Sequence, residues 1–146
     1  PERSRPQRTL LIVDDEPDIL QALKRLLRRS GYRILATTSA VQAFELLAAN
    51  PVQVIVSDQR MPAMGGAEFL SRARALYPDT IRIMLTGYSE PDAMSDAINR
   101  AAVSKFLTKP WDDEELRRVI HEAFVAYDHS VTRGGALAAP GPMNEP

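Results

Sequence analysis

A chain of 146 residues, 45% hydrophobic and 25% charged, can bury one substantial core and is too short for two ordinary domains. Its 18 basic residues nearly balance 19 acidic ones, and a net charge of -1 gives no global pull toward nucleic acid or an anionic membrane, so neither is expected as a direct partner. The lack of cysteine excludes disulfides, thiolate metal sites and thiol nucleophiles, and it accords with a reducing cytoplasm, the expected location.

Residues 1–8 include Arg3, Arg5 and Arg8 and are read as an N-terminal extension. The apolar stretch that follows is too short for a signal peptide, and Pro1 in the place of a Met leads us to expect a processed or trimmed chain. Leu10-Leu11-Ile12-Val13 predicts a first, fully buried strand. Ile19, Leu20, Leu23, Leu26 and Leu27 then repeat at helical spacing up to the stop at Ser30-Gly31. Residues 32–36, interrupted by Arg33, suit an edge strand, and Val41, Phe44 and Leu47 mark a second helix ending at Asn50-Pro51. A third strand is expected over 52–56 and a third helix through Phe69, Leu70, Ala73 and Leu76, stopped before Pro78. Residues 81–85 predict a fourth strand, Met94, Ala97, Ile98 and Ala101 a weaker fourth helix, and residues 103–107 a fifth strand. Leu116, Val119, Ile120, Ala123 and Phe124 define a fifth helix, opened by Asp112-Asp113-Glu114-Glu115, whose charge opposes the helix dipole. Periodicity fails from about Asp128, so 9–127 is read as one domain and 128–146, rich in Gly and Pro, as a flexible tail or linker.

This alternation predicts an α/β fold of five βα units on a single doubly wound parallel sheet in the order 2-1-3-4-5, the flavodoxin-like arrangement. Ligands of such sheets bind beyond the carboxyl ends of the strands at the switch point. Asp14-Asp15-Glu16, Asp58, Thr86 and Lys109 all fall there. Asp15 could cap helix one ahead of Pro17, Asp58 and Thr86 could cap loops and Lys109 could be solvated, but the joint occurrence of these residues at four strand ends is hard to explain that way. Clustered carboxylates need a cation, and hard oxygen ligands suit Mg²⁺, so Asp14, Asp15 and Asp58 predict a metal site with one carboxylate left to react. Attack of that carboxylate on phosphorus forms an aspartyl phosphate, for which the Lys109 ammonium and the Thr86 hydroxyl can neutralise and orient the phosphoryl oxygens.

The pieces Ile12-Val13-Asp14-Asp15-Glu16, Ser57-Asp58-Gln59-Arg60-Met61-Pro62, Leu85-Thr86-Gly87 and Phe106-Leu107-Thr108-Lys109-Pro110 resemble the receiver domains of two-component response regulators, over residues 9 to about 126. The resemblance implies Asp58 as phosphoacceptor, Asp15 as a direct Mg²⁺ ligand, Asp14 as a ligand mainly through water, and the Arg60 main-chain carbonyl as a further ligand. It also implies a cis bond before Pro110, Thr86 and Phe106 as switch residues, and a reporting face made of helix four, strand five and helix five. The implied partners are a sensor histidine kinase or a histidine phosphotransferase, docking in part on Arg25, Arg28 and Arg29. An output domain missing from this chain is expected, of the cyclic-di-GMP phosphodiesterase or transcription-activator type, together with a dimer that forms on phosphorylation. Such a domain is a signalling phosphoacceptor, catalysing only its own phosphorylation and dephosphorylation.

Gly65-Gly66 departs from the family's Asp-Gly, and Ala101-Ala102 stands where a Gly is common. His121 and His129 belong to no nucleophile pattern and are read as solvated or packing side chains. Trp111 is expected to cover the start of the last helix. Arg60 and Tyr88 would flank the mouth of the site and slow attack by water. A phosphohydrolase of the haloacid-dehalogenase type would need a second acid where Arg60 stands. A flavin-binding relative would need a phosphate loop where Asp14-Asp15-Glu16 stands. The serious alternative is a pseudo-receiver that only binds other proteins.

Overall fold

The computed structural model describes residues 7–87 and 102–138, the last six of these as backbone only. The expected fourth helix around Met94 and Ala97, Tyr88, residues 1–6 and residues 139–146 lie outside the described residues. The strands are β1 (Thr9–Val13), β2 (Arg33–Thr37), β3 (Val54–Asp58), β4 (Ile81–Gly87) and β5 (Lys105–Lys109). They pair in parallel in the order β2-β1-β3-β4-β5, as the alternation of elements predicts.

β1 and β3 are buried along their whole length, and β4 is buried at all but its two ends, because helices cover both faces of the sheet. Odd and even residues therefore feed two separate cores. Leu10, Ile12, Val54, Val56, Ile83 and Leu85 pack against Leu20, Leu23 and Leu27 of α1 (Pro17–Leu27) and against Leu116, Ile120 and Phe124 of the C-terminal helix (Asp113–Ala138). Leu11, Val13, Ile55 and Met84 pack against Ala43 and Leu47 of α2 (Ala40–Ala49) and Phe69, Leu70 and Ala73 of α3 (Gly66–Leu76). The outer strands β2 and β5 are the exposed ones, and Arg33 on the former and Lys105 on the latter discourage further strand addition.

Local signals set the helix ends. Pro17 opens α1, and the 3-10 turn that follows it ends on Gly31, whose φ of 83° is a left-handed conformation that a side chain would strain. Ser39 Oγ accepts from the Gln42 N–H at 3.2 Å to cap α2, and Asp112 Oδ2 accepts from the Glu115 N–H at 3.0 Å to cap the C-terminal helix. Between β3 and α3 the Met64 N–H donates to the Pro62 carbonyl at 2.7 Å around Ala63, whose φ is 68°. That is the hydrogen bond and handedness of a γ-turn of the strained kind.

Several boundaries differ from expectation. β3 and β5 each begin two residues later than their apolar runs, because Val52 and Val103 are buried as lead-in residues and lie outside the ladder. The C-terminal helix continues past Asp128 to Ala138, through Gly134-Gly135. From Asp128 to Thr132 its side chains are exposed. Apolar periodicity stops there because no core remains to be faced, while a helix already nucleated extends at little cost.

Candidate functional site

Parallel pairing brings the carboxyl ends of β1, β3, β4 and β5 to one rim. Val13 pairs with Ser57, Asp58 with Leu85, and Gly87 with Lys109, so Asp14, Asp58, Thr86 and Lys109 all arrive at one end of the sheet. Carboxylate oxygens of Asp14, Asp15 and Asp58 come within 4.8 Å of one another. Asp14 and Asp58 are buried and Asp15 is exposed, so the cluster opens to solvent on one side.

Lys109 holds the buried pair together. Its Nζ donates to Asp14 Oδ2 at 2.9 Å, lies 3.0 Å from Asp58 Oδ1, and is 3.8 Å from Glu16 Oε1. Asp14 Oδ1 accepts from the Glu16 N–H at 2.9 Å, so both oxygens of Asp14 are engaged. Burial raises the Asp58 carboxyl above its ordinary value and the Asp14 charge adds to the rise, against the opposing pull of Lys109 and of the Gln59 N–H. Burial works against the charged Lys109 ammonium, yet its bonds to Asp14 and Asp58 outweigh that cost and raise its pKa. Three hard oxygen donors, two of them buried together and repelling, fit a divalent cation of the Mg²⁺ class.

The backbone around Asp58 is pinned from three sides. Gln59 N–H donates to the Leu85 carbonyl at 3.2 Å, the Gly66 N–H donates to the Gln59 carbonyl at 2.8 Å, and Ser57 Oγ donates to the Asp58 carbonyl at 2.9 Å. A Cβ on Gly66 would lie 2.1 Å from the Asp58 carbonyl oxygen, whereas one on Gly65 would meet only the Gln59 carbonyl at 3.4 Å. The Gly65-Gly66 pair thus contains one glycine that the close approach of α3 requires and one that it does not.

Thr86 is buried, and its Oγ1 donates to the Leu107 carbonyl at a long 3.5 Å. Phe106 pairs with Met84 across the sheet and is half-buried against the α2–α3 core. The side chain of Arg60 is exposed. The bond before Pro110 is cis. Trp111 packs against the core and donates from Nε1 to Asp113 Oδ1 at 3.0 Å, while His121, His129, Arg25, Arg28 and Arg29 are exposed. The approach of Glu16 to Lys109 and the role of Gly66 were missed in the sequence. Glu16 lies inside a quoted motif and Gly66 in the Gly65-Gly66 pair beside one, and only a three-dimensional distance separates them from their bland neighbours.

A sheet of this order with acidic and basic side chains gathered at its switch point defines a signalling receiver. The family profile described as the response regulator receiver domain matches residues 10–121, and the chain belongs to that family of two-component signal transduction. It is similar to the hydrogenase transcriptional regulatory protein HoxA of Bradyrhizobium diazoefficiens, 39% identical over 121 residues that make up 83% of this chain and 25% of the relative. The chain thus spans about a quarter of the length of that relative. Among solved structures it is similar to the signal receiver domain of an HD domain-containing protein from Pseudomonas fluorescens, with TM-score 0.83, 34% identity and coverage of 88% of this chain and 95% of the other. It is also similar to the response regulator protein TrrA of Thermotoga maritima in complex with Mg²⁺-BeF, with TM-score 0.73, 26% identity and coverage of 80% and 99%. Among the described residues, no helix is long and apolar enough to cross a membrane.

Proposed function

We propose that this chain is a working phosphoacceptor: Asp58 takes a phosphoryl group from the phosphohistidine of a sensor kinase or phosphotransferase, with Mg²⁺ as cofactor. The observation that carries this reading is the position of Lys109 Nζ, 2.9 Å from Asp14 and 3.0 Å from Asp58, beside a three-carboxylate cluster. Mg²⁺, held by Asp14, Asp15, Asp58 and the Arg60 main-chain carbonyl, would supply the positive charge that lets an anionic nucleophile meet an anionic phosphoryl group.

The chain's own residues do the rest. An Asp58 oxygen attacks phosphorus in line with the departing donor nitrogen, which leaves with the bonding pair. Lys109, already at hydrogen-bonding distance of Asp58, turns its ammonium to a phosphoryl oxygen as the negative charge moves outward. The Thr86 hydroxyl leaves its long bond to the Leu107 carbonyl for another phosphoryl oxygen, and Phe106 turns inward to fill the space left behind. The face that reports the change comprises β5, the C-terminal helix and the segment expected as a fourth helix, which lies outside the described residues. Arg25, Arg28 and Arg29 form part of the surface for the phosphohistidine donor.

The domain acts in the cytoplasm on an output domain that follows it in a longer protein, residues 128–146 serving as the connector. Similarity to HoxA supports a transcriptional output, and similarity to the Pseudomonas receiver supports an output that contains an HD domain. Phosphorylation favours a dimer in either case. Its only catalysis is of its own phosphorylation and dephosphorylation.

The deciding experiment is intact-mass measurement after incubation with a small phosphodonor, with and without Mg²⁺. One phosphoryl adduct is expected, dependent on Mg²⁺ and absent in Asp58→Asn. An unmodified wild-type chain would make it a pseudo-receiver, and an adduct on Asp58→Asn would move the site elsewhere.

A further inference from the structure

Arg82 is a buried charge that the phosphorylation chemistry does not use. It lies in β4, paired with Ile55 of β3, and is only 8% exposed. Among the described residues no carboxylate makes an ion pair with it. Burial lowers its pKa, and the charge of Arg74 on α3 lowers it further. A cation in this position costs several kcal/mol unless its donors are well used, and a Met or Leu would fill the same space without that cost.

The donors are used on backbone from two separate parts of the chain. Nε donates to the Ala102 carbonyl at 2.6 Å, and Nη1 donates to the Thr80 carbonyl at 2.7 Å and to Thr80 Oγ1 at 3.1 Å. Thr80 in turn donates from Oγ1 to the Tyr77 carbonyl at 2.8 Å, just past α3. The main-chain carbonyl of Arg82 accepts from the Ser104 N–H at 2.7 Å. One residue therefore ties together the end of α3, the entry into β4 and the entry into β5. All of these contacts sit at the amino ends of the strands, about 13 Å along β4 from Thr86 at a rise of about 3.3 Å per residue.

We propose that Arg82 is a positioning residue that clips Ala102 and the entry into β5 to the sheet, so that phosphorylation displaces the Thr86 end of β4 and leaves Ala102 and Ser104 fixed. The guanidinium suits the task because its rigid fork holds two carbonyls at a set separation, which an ammonium or an apolar side chain cannot do. Fixing Ala102 and Ser104 confines the response to a displacement beside Asp58 to the carboxyl end of β4 and prevents a diffuse loosening at the amino ends of the strands. This inference rests on the receiver reading, and its test keeps the two apart.

Hydrogen exchange is to be followed by mass spectrometry in wild type, Arg82→Met, Arg82→Lys and Thr80→Val, each with Mg²⁺ and with or without a small phosphodonor, while intact mass records phosphorylation. In wild type the phosphodonor should change exchange in peptides around Thr86 and leave residues 102–105 unchanged. In Arg82→Met, phosphorylation should stay within about twofold of wild type, exchange at 102–105 should rise about tenfold even without phosphodonor, and the phosphodonor response should spread to those residues. Arg82→Lys, which keeps the charge and one bond, should fall between. It also carries the test if Arg82→Met does not fold, with Thr80→Val giving a smaller effect of the same kind. Labelled wild type and variants with identical exchange at 102–105 would overturn the clip. A wild type that takes no label would instead overturn the receiver reading, and the comparison without phosphodonor would still decide the clip.

Discussion

Gly66 stands so close to Asp58 that a Cβ on the glycine would lie 2.1 Å from the aspartate's carbonyl oxygen. The contact is backbone against a strand end, so neither partner can yield by changing rotamer. Gly66→Ala should cost about 3 kcal/mol of stability and, on the proposed function, slow phosphorylation, because the relief has to come from moving α3 or the peptide that carries Asp58. Gly65→Ala, with its nearest contact at 3.4 Å, should cost less than about 1 kcal/mol. Denaturant titration of the two variants checks this, and equal losses would show that the crowding is not the cause.

Asp15 is the exposed member of the three-carboxylate cluster. Asp15→Asn should weaken Mg²⁺ binding at least about tenfold, since a divalent cation needs ligand charge as well as oxygen. Stability without metal should change by less than about 0.5 kcal/mol. The comparison is a calorimetric Mg²⁺ titration alongside melting in chelator, and unchanged affinity would remove Asp15 from the ligand set.

Thr86 Oγ1 has only a 3.5 Å bond to the Leu107 carbonyl to lose. Thr86→Ala should therefore fold with a stability within about 1 kcal/mol of wild type and still accept phosphate. Its phosphorylation should no longer alter the NMR shifts of Phe106. Equal shifts in wild type and variant would sink the coupling.

Ala63 holds a φ of 68° in the turn between β3 and α3. The left-handed conformation costs an L residue about 1–2 kcal/mol, and glycine's greater freedom when unfolded returns part of this. Ala63→Gly should then gain about 0.5 kcal/mol, read as a higher denaturation midpoint at constant slope. A lower midpoint would mean that the turn is less strained than its φ implies.

Tyr32 stacks on Phe124 with ring centroids 4.6 Å apart, and burial raises its hydroxyl pKa, against a lowering by Arg8. A folded value above the unfolded one means that the contribution of this group is fully present below the ordinary tyrosine pKa. It is lost as pH rises through the folded value. Wild type should lose stability above about pH 10, and Tyr32→Phe should lose less over the same window. Parallel alkaline limbs in the two proteins would show that Tyr32 ionises freely.

What the sequence could reveal followed from what each pattern measures. β1, β3 and β4 were legible because a strand covered on both faces must be apolar at nearly every position, and that order of elements leaves few ways to wind a sheet. The acidic rim was legible for a related reason: strand ends are fixed by the runs, and carboxylates just beyond them have few structural uses. Arg82 passed unnoticed inside the expected fourth strand, since a hydrophobic run tolerates one polar residue without changing its periodicity. The offset starts of β3 and β5 were equally hidden, because Val52 and Val103 are as buried as strand residues without joining the ladder. Ala63 offered no signal short of a measured dihedral angle.

The C-terminal helix runs for 26 residues, and beyond its core-facing part it is tied back near its middle. Arg8 does this, with its guanidinium 3.2 Å from Asp128 and 5.6 Å from the centre of the Phe124 ring. At about 1.5 Å per residue the helix measures about 39 Å, so it works as a strut whose azimuth is set by the domain and kept along its length. Anything joined to that strut inherits a phase. One residue inserted after Asp128 would swing the attached body by about 100° around the axis, whereas seven would return it nearly to its starting bearing about 10 Å further out.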